Sequence, residues 1–471
     1  MAAKQSFKLY VKNDRQGQKK RKWLIKIIFI VTLFVTAVNL VIAYNSIQSQ
    51  FLVPLPSEVF HSSKYQPIVV GDARKISRQD FNEIDRIAKE LDYSGTSIEE
   101  LANLLEQNTT TETEEARIIY AWITQHIAYD LSAYNDAVYN DKYPDVEATT
   151  VLKDRTTICS GYSNLYLALA EAMNLESVMV VGHAKGATPP DMERFYDINH
   201  AWNGVRIDGE WYLLDATWGA GAIVEDRFTF DYKPYYFATA PEELINNHFP
   251  KDEGWQLLAQ THTRKNFDNA IDISDRFYTL GLELDSHLDR YISTSGRLEI
   301  KLKAPQDILA VASLQQKGQK LAEDTVLVNR QGEYLEIDIA PPAAGVYDLI
   351  IYAKDKDDSN AYEKAIAYQI EAQAPTAQFP KIYEQFYQYQ ANLVEPVTTN
   401  LDVGRSTYFN LVIPQAIDVM VVNSTNNSWT PLDGYGDSFV GHVDIQSGNS
   451  IVIAKFSDSD EYWKLIEYQS N

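Results

Sequence analysis

The chain has 471 residues, 45% hydrophobic and 12% aromatic, with a single cysteine and a net charge of −23. At ~150 residues per domain that length predicts about three domains, and the composition excludes a disordered chain. One cysteine excludes an intrachain disulfide, and so acidic a body argues against nucleic acid as a partner.

The charge is unevenly placed. Residues 1–26 hold nine Lys or Arg and one acid, Asp14, leaving 33 basic and 64 acidic residues in the remainder. Ile27–Tyr44 is apolar apart from Thr32, Thr36 and Asn39, and Trp23, Leu24 and Tyr44 flank it. A stretch of that length spans hydrocarbon, and the basic block fixes its orientation. The expectation is a cytoplasmic tail over 1–23 and a transmembrane anchor over 24–44, giving a single-pass cell-membrane protein with its bulk outside. The alternative is a secreted protein, released by signal cleavage near Ala43. Residues 45–76 contain Pro54, Pro56 and Pro67 and read as a stalk.

Three helices with start signals follow. Ser77-x-x-Asp80 precedes Phe81, Ile84, Ile87, Ala88 and Leu91. Ser97-x-x-Glu100 precedes Leu101, Leu104 and Leu105, and Thr111-x-x-Glu114 precedes Ile118, Ile119, Trp122, Ile123 and Ile127. Each pairs a capping residue with an acid and an apolar stripe. A fourth helix opens at Cys159, with Leu165, Tyr166, Leu169, Ala172 and Met173 as its apolar face. Ser177–Val181, Ala201–Ile207 and Trp211–Trp218 read as strands, the last two joined by an Asp208-Gly209 hairpin turn. Residues 77–272 are therefore expected to form an α+β domain with helices on an antiparallel sheet.

From Phe277 the pattern turns to alternation, as in Leu298–Leu302 and Tyr334–Ile339, which predicts a β-sandwich over 273–373. A second copy is expected over 380–471, with Ala374–Pro380 as linker. Phe277-Tyr278 and Pro305 recur as Phe386-Tyr387 and Pro414, an offset of 109 residues. It sets Leu284 on Leu393, Ile300 on Phe409, Leu302 on Leu411, Ile308 on Ile417 and Ala312 on Val421.

The chemistry gathers around Cys159. A helix N-terminus stabilises a thiolate, Gly161 permits close backbone approach, and His200 and Asp215 follow downstream. Thiol, imidazole and carboxylate are the parts of an acyl-transfer triad. The competing readings are a buried cysteine acting as a small hydrophobe, a structural sheet histidine, and a surface aspartate at a strand end. His183 is another histidine candidate without a carboxylate on a neighbouring strand. Trp202 and Trp218 read as core more than as a substrate platform. His200 and Asp215 lack a third ligand at metal spacing, and there is no Ca²⁺ loop, so no metal and no cofactor are expected.

Ala116–Asp130, Cys159–Tyr162 (CSGY), His200–Trp202 (HAW) and Trp211–Trp218 (WYLLDATW) resemble the transglutaminase-like superfamily. Tyr235–Leu258 and Phe277–His287 are similar to its kyphoscoliosis peptidase and cytokinesis-protein branch. The resemblance implies a papain-like core with Cys159 as nucleophile, His200 as base and Asp215 as orienting acid. The Cys159 N–H would be one oxyanion donor, and Gly161, Tyr162, Trp202 and Trp218 would line the site. Thr157 stands where the family usually has glycine, which puts substrate access in question. The implied substrates are protein or peptide amides, including proteins of the cell envelope. Water as acceptor gives a peptidase or deamidase, and a lysine amine gives a crosslinking enzyme. The alternative is a non-catalytic adaptor, a cytokinesis or envelope scaffold, or a surface adhesin.

Overall fold

The computed structural model describes residues 70–77, 79–140, 142–186, 198–359, 361–457 and 461–470. The expected tail and anchor, and the stalk as far as residue 69, lie outside these. Among the described residues no helix is long and apolar enough to cross a membrane.

The end of the expected stalk belongs to the first domain. The Gly71 N–H donates to the Trp211 carbonyl at 3.1 Å, and a short helix α1 (Ala73–Ser77) buries Ala73 and Ile76. The helix expected to start at Ser77 begins later, at Asn82. Ser77 closes α1, and Asp80 Oδ1 instead accepts the Asn82 N–H that opens α2 (Asn82–Glu90). The other two caps do form. Ser97 Oγ and Thr111 Oγ1 accept the Glu100 and Glu114 N–H groups at the starts of α3 (Ile98–Glu106) and α4 (Glu112–His126), both at 3.2 Å. Such caps satisfy backbone donors that a helix leaves unpaired.

Helix α4 is enclosed on all sides, with every residue from Ala116 to Thr124 buried. Its cation, Arg117, is held by both oxygens of Asp85 at 2.8 and 2.7 Å and lies over the rings of Phe81 and Phe237. A short parallel pair, β1 (Ala128–Tyr129) and β2 (Thr156–Thr157), leads past helices α5 (Leu131–Asn140) and α6 (Ala148–Asp154) into α7 (Cys159–Ala172). Helix α7 packs through Leu165, Tyr166, Leu169, Ala170 and Met173. Ala172, expected on that face, is exposed, and Ala170 takes its place.

Five antiparallel strands back these helices. They are β3 (Ser177–Ala184), β4 (His200–Ile207), β5 (Glu210–Leu214), β8 (Phe237–Thr239) and β9 (His248–Pro250), in the order β8-β5-β4-β3-β9. A separate hairpin, β6 (Gly221–Val224) and β7 (Arg227–Phe230), lies between β5 and β8. Asp208 and Gly209 turn β4 into β5 at φ of 50° and 83°, the mirror-image turn that suits strand twist. The strand expected through Trp218 stops at Leu214, because Asp215 caps a short helix α8 (Ala216–Ala220).

Two β-sandwiches follow with the same topology. The first pairs a four-stranded sheet (Glu283–Leu284, Leu298–Lys303, Tyr334–Ile339, Val326–Gln331) with a six-stranded one. In the second, the four-stranded sheet runs Asn392–Glu395, Ser406–Val412, Ser438–Asp444, Asp433–Tyr435. Leu284 faces Leu302 in the first as Leu393 faces Leu411 in the second. Ala312 faces Ile351 as Val421 faces Val452, and each of those partners is followed by a bulge. Ile300, Leu302, Phe409 and Leu411 are all fully buried. Ile308 and Ile417 differ, since Ile308 is buried and Ile417 is 59% exposed. A bulge between Ala416 and Asp418 throws Ile417 out of the ladder.

The module limits expected from the sequence shift slightly. Asp272-Ile273 pairs with the first sandwich at Ala367 and Ile366, and Ile271 lies in its core. The linker is bound rather than free. Thr376 N–H donates to Pro341 O and Phe379 N–H to Asp324 O, both at 2.9 Å, and Phe379 is buried in the second core. The first domain meets the first sandwich through Lys233–Asp275 (3.0 Å) and the stacked rings of Tyr235 and Tyr278.

Candidate active site

The backbone delivers three expected side chains to one buried place. Cys159 is the first residue of α7, with Ile158 as its extended N-cap. Gly161 and Tyr162 N–H groups already turn back to Ile158 O, at 2.9 and 3.2 Å. The N–H of Cys159, one turn earlier, has no carbonyl supplied by the helix. His200 opens β4 opposite Gly182 of β3. Its entry is fixed by Asn199, whose side chain bonds both the N–H and the carbonyl of Ala184, at 2.7 and 3.0 Å.

Asp215 is placed by its capping role. Oδ1 accepts the N–H groups of Thr217 and Trp218 at 2.8 and 3.1 Å, and its own N–H donates to Tyr236 O at 2.9 Å. That pins the carboxylate with Oδ2 turned to His200 Nε2, 2.7 Å away. Cys159 lies beside the same imidazole, close enough to favour its charged form. With Nε2 committed to Asp215, Nδ1 is the nitrogen left for the thiol. Asp215 is fully buried, not the surface aspartate of the competing reading, and His200 is 3% exposed.

Charge follows from this burial. Desolvation alone would lower the His200 pKa, but the Asp215 charge and hydrogen bond, then Cys159, override it and raise the value to about 10. Desolvation would raise the Asp215 pKa, yet the two histidines that bond it hold it far below the usual carboxylate range. The site is thus built to keep an imidazolium beside a carboxylate.

Two neighbours had no signal of their own. His248 of β9 is buried, and its Nε2 lies 2.9 Å from the same Asp215 oxygen. It lies 33 residues beyond Asp215 on a strand of three residues, too short for periodicity to reveal. Tyr129 is the second. Burial first, and the nearby Cys159 next, push its phenol well above the usual range, so it stays protonated.

The expected lining residues divide. Trp202 is buried and stacked on His200 with ring centres 6.0 Å apart, and the half-buried Trp218 tilts over His200 at 5.7 Å. Tyr162 instead points into the core, donating to Ile127 O at 2.6 Å. Gly161 makes room for a neighbour. A Cβ there would lie 1.9 Å from Thr157 Oγ1 and 2.8 Å from its Cβ and Cγ2. Thr157, which departs from the family pattern, is therefore turned against α7 and buried. His183 is buried edge-on to Phe267. Residues 187–197, between β3 and β4, lie outside the described residues.

His248 corrects the expectation that His200 and Asp215 lack a third partner. His200, Asp215 and His248 have ligand-type atoms within 4.8 Å of one another. Hydrogen bonds of 2.7 and 2.9 Å already join these atoms, so the trio is accounted for as a proton-bonded network.

Residues 99–216 match the transglutaminase-like superfamily, and residues 264–382 match the KY-like, immunoglobulin-like domain. Human kyphoscoliosis peptidase is 28% identical over 62% of this chain and 43% of its own length. Hillarin of Drosophila melanogaster is 24% identical over 58% of this chain and 36% of its own. Cytokinesis protein 3 of Schizosaccharomyces pombe is 22% identical over 53% and 28%. The chain thus spans less than half the length of these relatives.

Proposed function

Because this chain carries a transglutaminase-like domain of the kyphoscoliosis peptidase and cytokinesis-protein branch, we propose that it is a thiol acyl-transfer enzyme acting on protein or peptide amides. The observation that carries the reading is the buried chain Cys159–His200–Asp215 at a helix start. A scaffold has no use for it, and burying such a set is costly unless each member is paired.

In this reading the Cys159 thiol passes its proton to His200 and attacks the amide carbon. The oxyanion is met by the Cys159 N–H. The C–N bond then breaks, its electron pair stays on nitrogen, and nitrogen takes the proton from His200, leaving a thioester. Asp215 holds the imidazole in register and stabilises its charged form. Water then releases a carboxylate, or an amine forms a new amide, with His200 again as base. The two sandwiches present the target, and residues 24–44 anchor the protein to the membrane.

The test is amine incorporation against peptide release, using dansylcadaverine and a glutamine-containing protein such as casein, with Cys159→Ala as control. Cysteine-dependent labelling supports crosslinking, and cysteine-dependent cleavage or ammonia release supports hydrolysis. Neither, together with full biological activity of Cys159→Ala, leaves the adaptor reading.

A further inference from the structure

Asp215 holds one more group than a thiol triad requires. Oδ1 takes two backbone N–H groups, and Oδ2 takes both His200 and His248. A carboxylate offers about four lone-pair sites, and here all four are filled. His248 is boxed by Trp202 at 5.0 Å, Trp218 at 4.5 Å, Tyr236 at 6.4 Å and the His200 ring at 5.4 Å. On its far side Nδ1 lies 2.6 Å from Asn247 Oδ1. Burial pushes the His248 pKa down, so the ring is neutral with its proton on Nε2. That tautomer requires the Asn247 amide turned end for end, with its NH₂ toward Nδ1.

We propose that His248 is a positioning residue of this site. By donating to the oxygen that His200 also uses, it adds to the backbone N–H groups that pin Asp215 and takes up part of its charge. His200 then accepts the thiol proton yet can still give it to the departing nitrogen. This rests on the acyl-transfer reading. A carboxylate bound to His200 alone would hold the imidazolium harder and slow that return. The other titratable groups around this oxygen are Cys159 on α7 and the phenols of Tyr120, Tyr129, Tyr162 and Tyr236. Burial keeps these phenols neutral, which leaves His200 and its partner Cys159 as the groups that change charge here.

The experiment is the rate of Cys159 alkylation by iodoacetamide between pH 5 and 11, on the full chain. His248→Leu, His248→Gln and His200→Ala are compared with the parent. The readout is the upper inflection, where His200 loses its proton and leaves the thiolate unpaired. His248→Leu should move it up by about one pH unit, the worth of a hydrogen bond to a charged group. His248→Gln keeps an N–H donor and should stay within about 0.3 unit of the parent. If His248→Leu does not fold, His248→Phe replaces it. An unmoved inflection in a folded Leu or Phe variant, or a Gln variant that behaves like them, overturns the proposal. If His200→Ala leaves the whole profile unchanged, it is the acyl-transfer reading itself that fails.

Discussion

Replacing Gly161 by alanine tests how the cysteine helix is seated. Two effects oppose each other. Alanine is worth ~1 kcal/mol over glycine inside a helix, but the new Cβ would stand 1.9 Å from Thr157 Oγ1. Rotating Thr157 does not relieve this, because its Cβ would also lie at 2.8 Å. Its backbone is fixed by the β1–β2 ladder and by Asp130 N–H on Thr157 O at 2.8 Å. Overpacking of this kind costs ~1–3 kcal/mol, and so severe a clash belongs at the upper end. The net loss should be about 2 kcal/mol, or ~4–8 °C in the melting of a domain of this size. Thr157→Gly restores the family's residue. The double variant Thr157→Gly/Gly161→Ala should recover most of the loss, with a coupling of at least ~1 kcal/mol. The assay is thermal melting by circular dichroism, with Cys159 alkylation as a check on helix position. Gly161→Ala melting at or above the parent, or a double variant no better than the single, would refute this packing.

Two further outcomes follow from the sandwiches. Burial, above all, raises the Asp338 pKa from 3.8 to about 6. The folded state thus holds that proton more tightly than the unfolded chain, and stability falls as pH rises from 3.8 through 6. Asp338→Asn should be the more stable protein above pH 6, by up to ~3 kcal/mol, with the gap closing below pH 4; urea melts at pH 4 and 7.5 check the sign. Asn329 joins the two sandwiches, accepting the Leu393 N–H at 2.9 Å while buried. Asn329→Ala strands that donor, should cost ~1–3 kcal/mol, and should speed proteolysis between the modules; an unchanged digestion rate would count against a rigid junction.

The parts legible in the sequence are those governed by local rules. Ser97 and Thr111 cap their helices because the motif and its acceptor lie within three residues. The Asp208-Gly209 hairpin forms because the turn itself demands those residues. Ser77 misled because the capping pattern cannot reveal that the preceding residues, Ala73 and Ile76, already form a helix buried in the core. Asp215 was placed on a strand by its apolar neighbours, whereas its carboxylate prefers the unpaired N–H groups of Thr217 and Trp218. The repeat offset matches register at Leu284 and Leu393, yet a bulge that no spacing announces displaces Ile417. His248 and the Gly161–Thr157 contact are three-dimensional facts, set by strand order and by the angle at which β2 meets α7.

The most direct test of the central claim is the rate at which iodoacetamide modifies Cys159 at pH 6.5, read by intact mass, in the parent and in His200→Ala. A thiol of ordinary pKa ~8.5 is only ~1% ionised there. If His200 activates Cys159, the parent reacts promptly and the variant at least ~10-fold more slowly. Equal rates in two folded proteins, or no reaction in the folded parent, would contradict a nucleophile activated by His200.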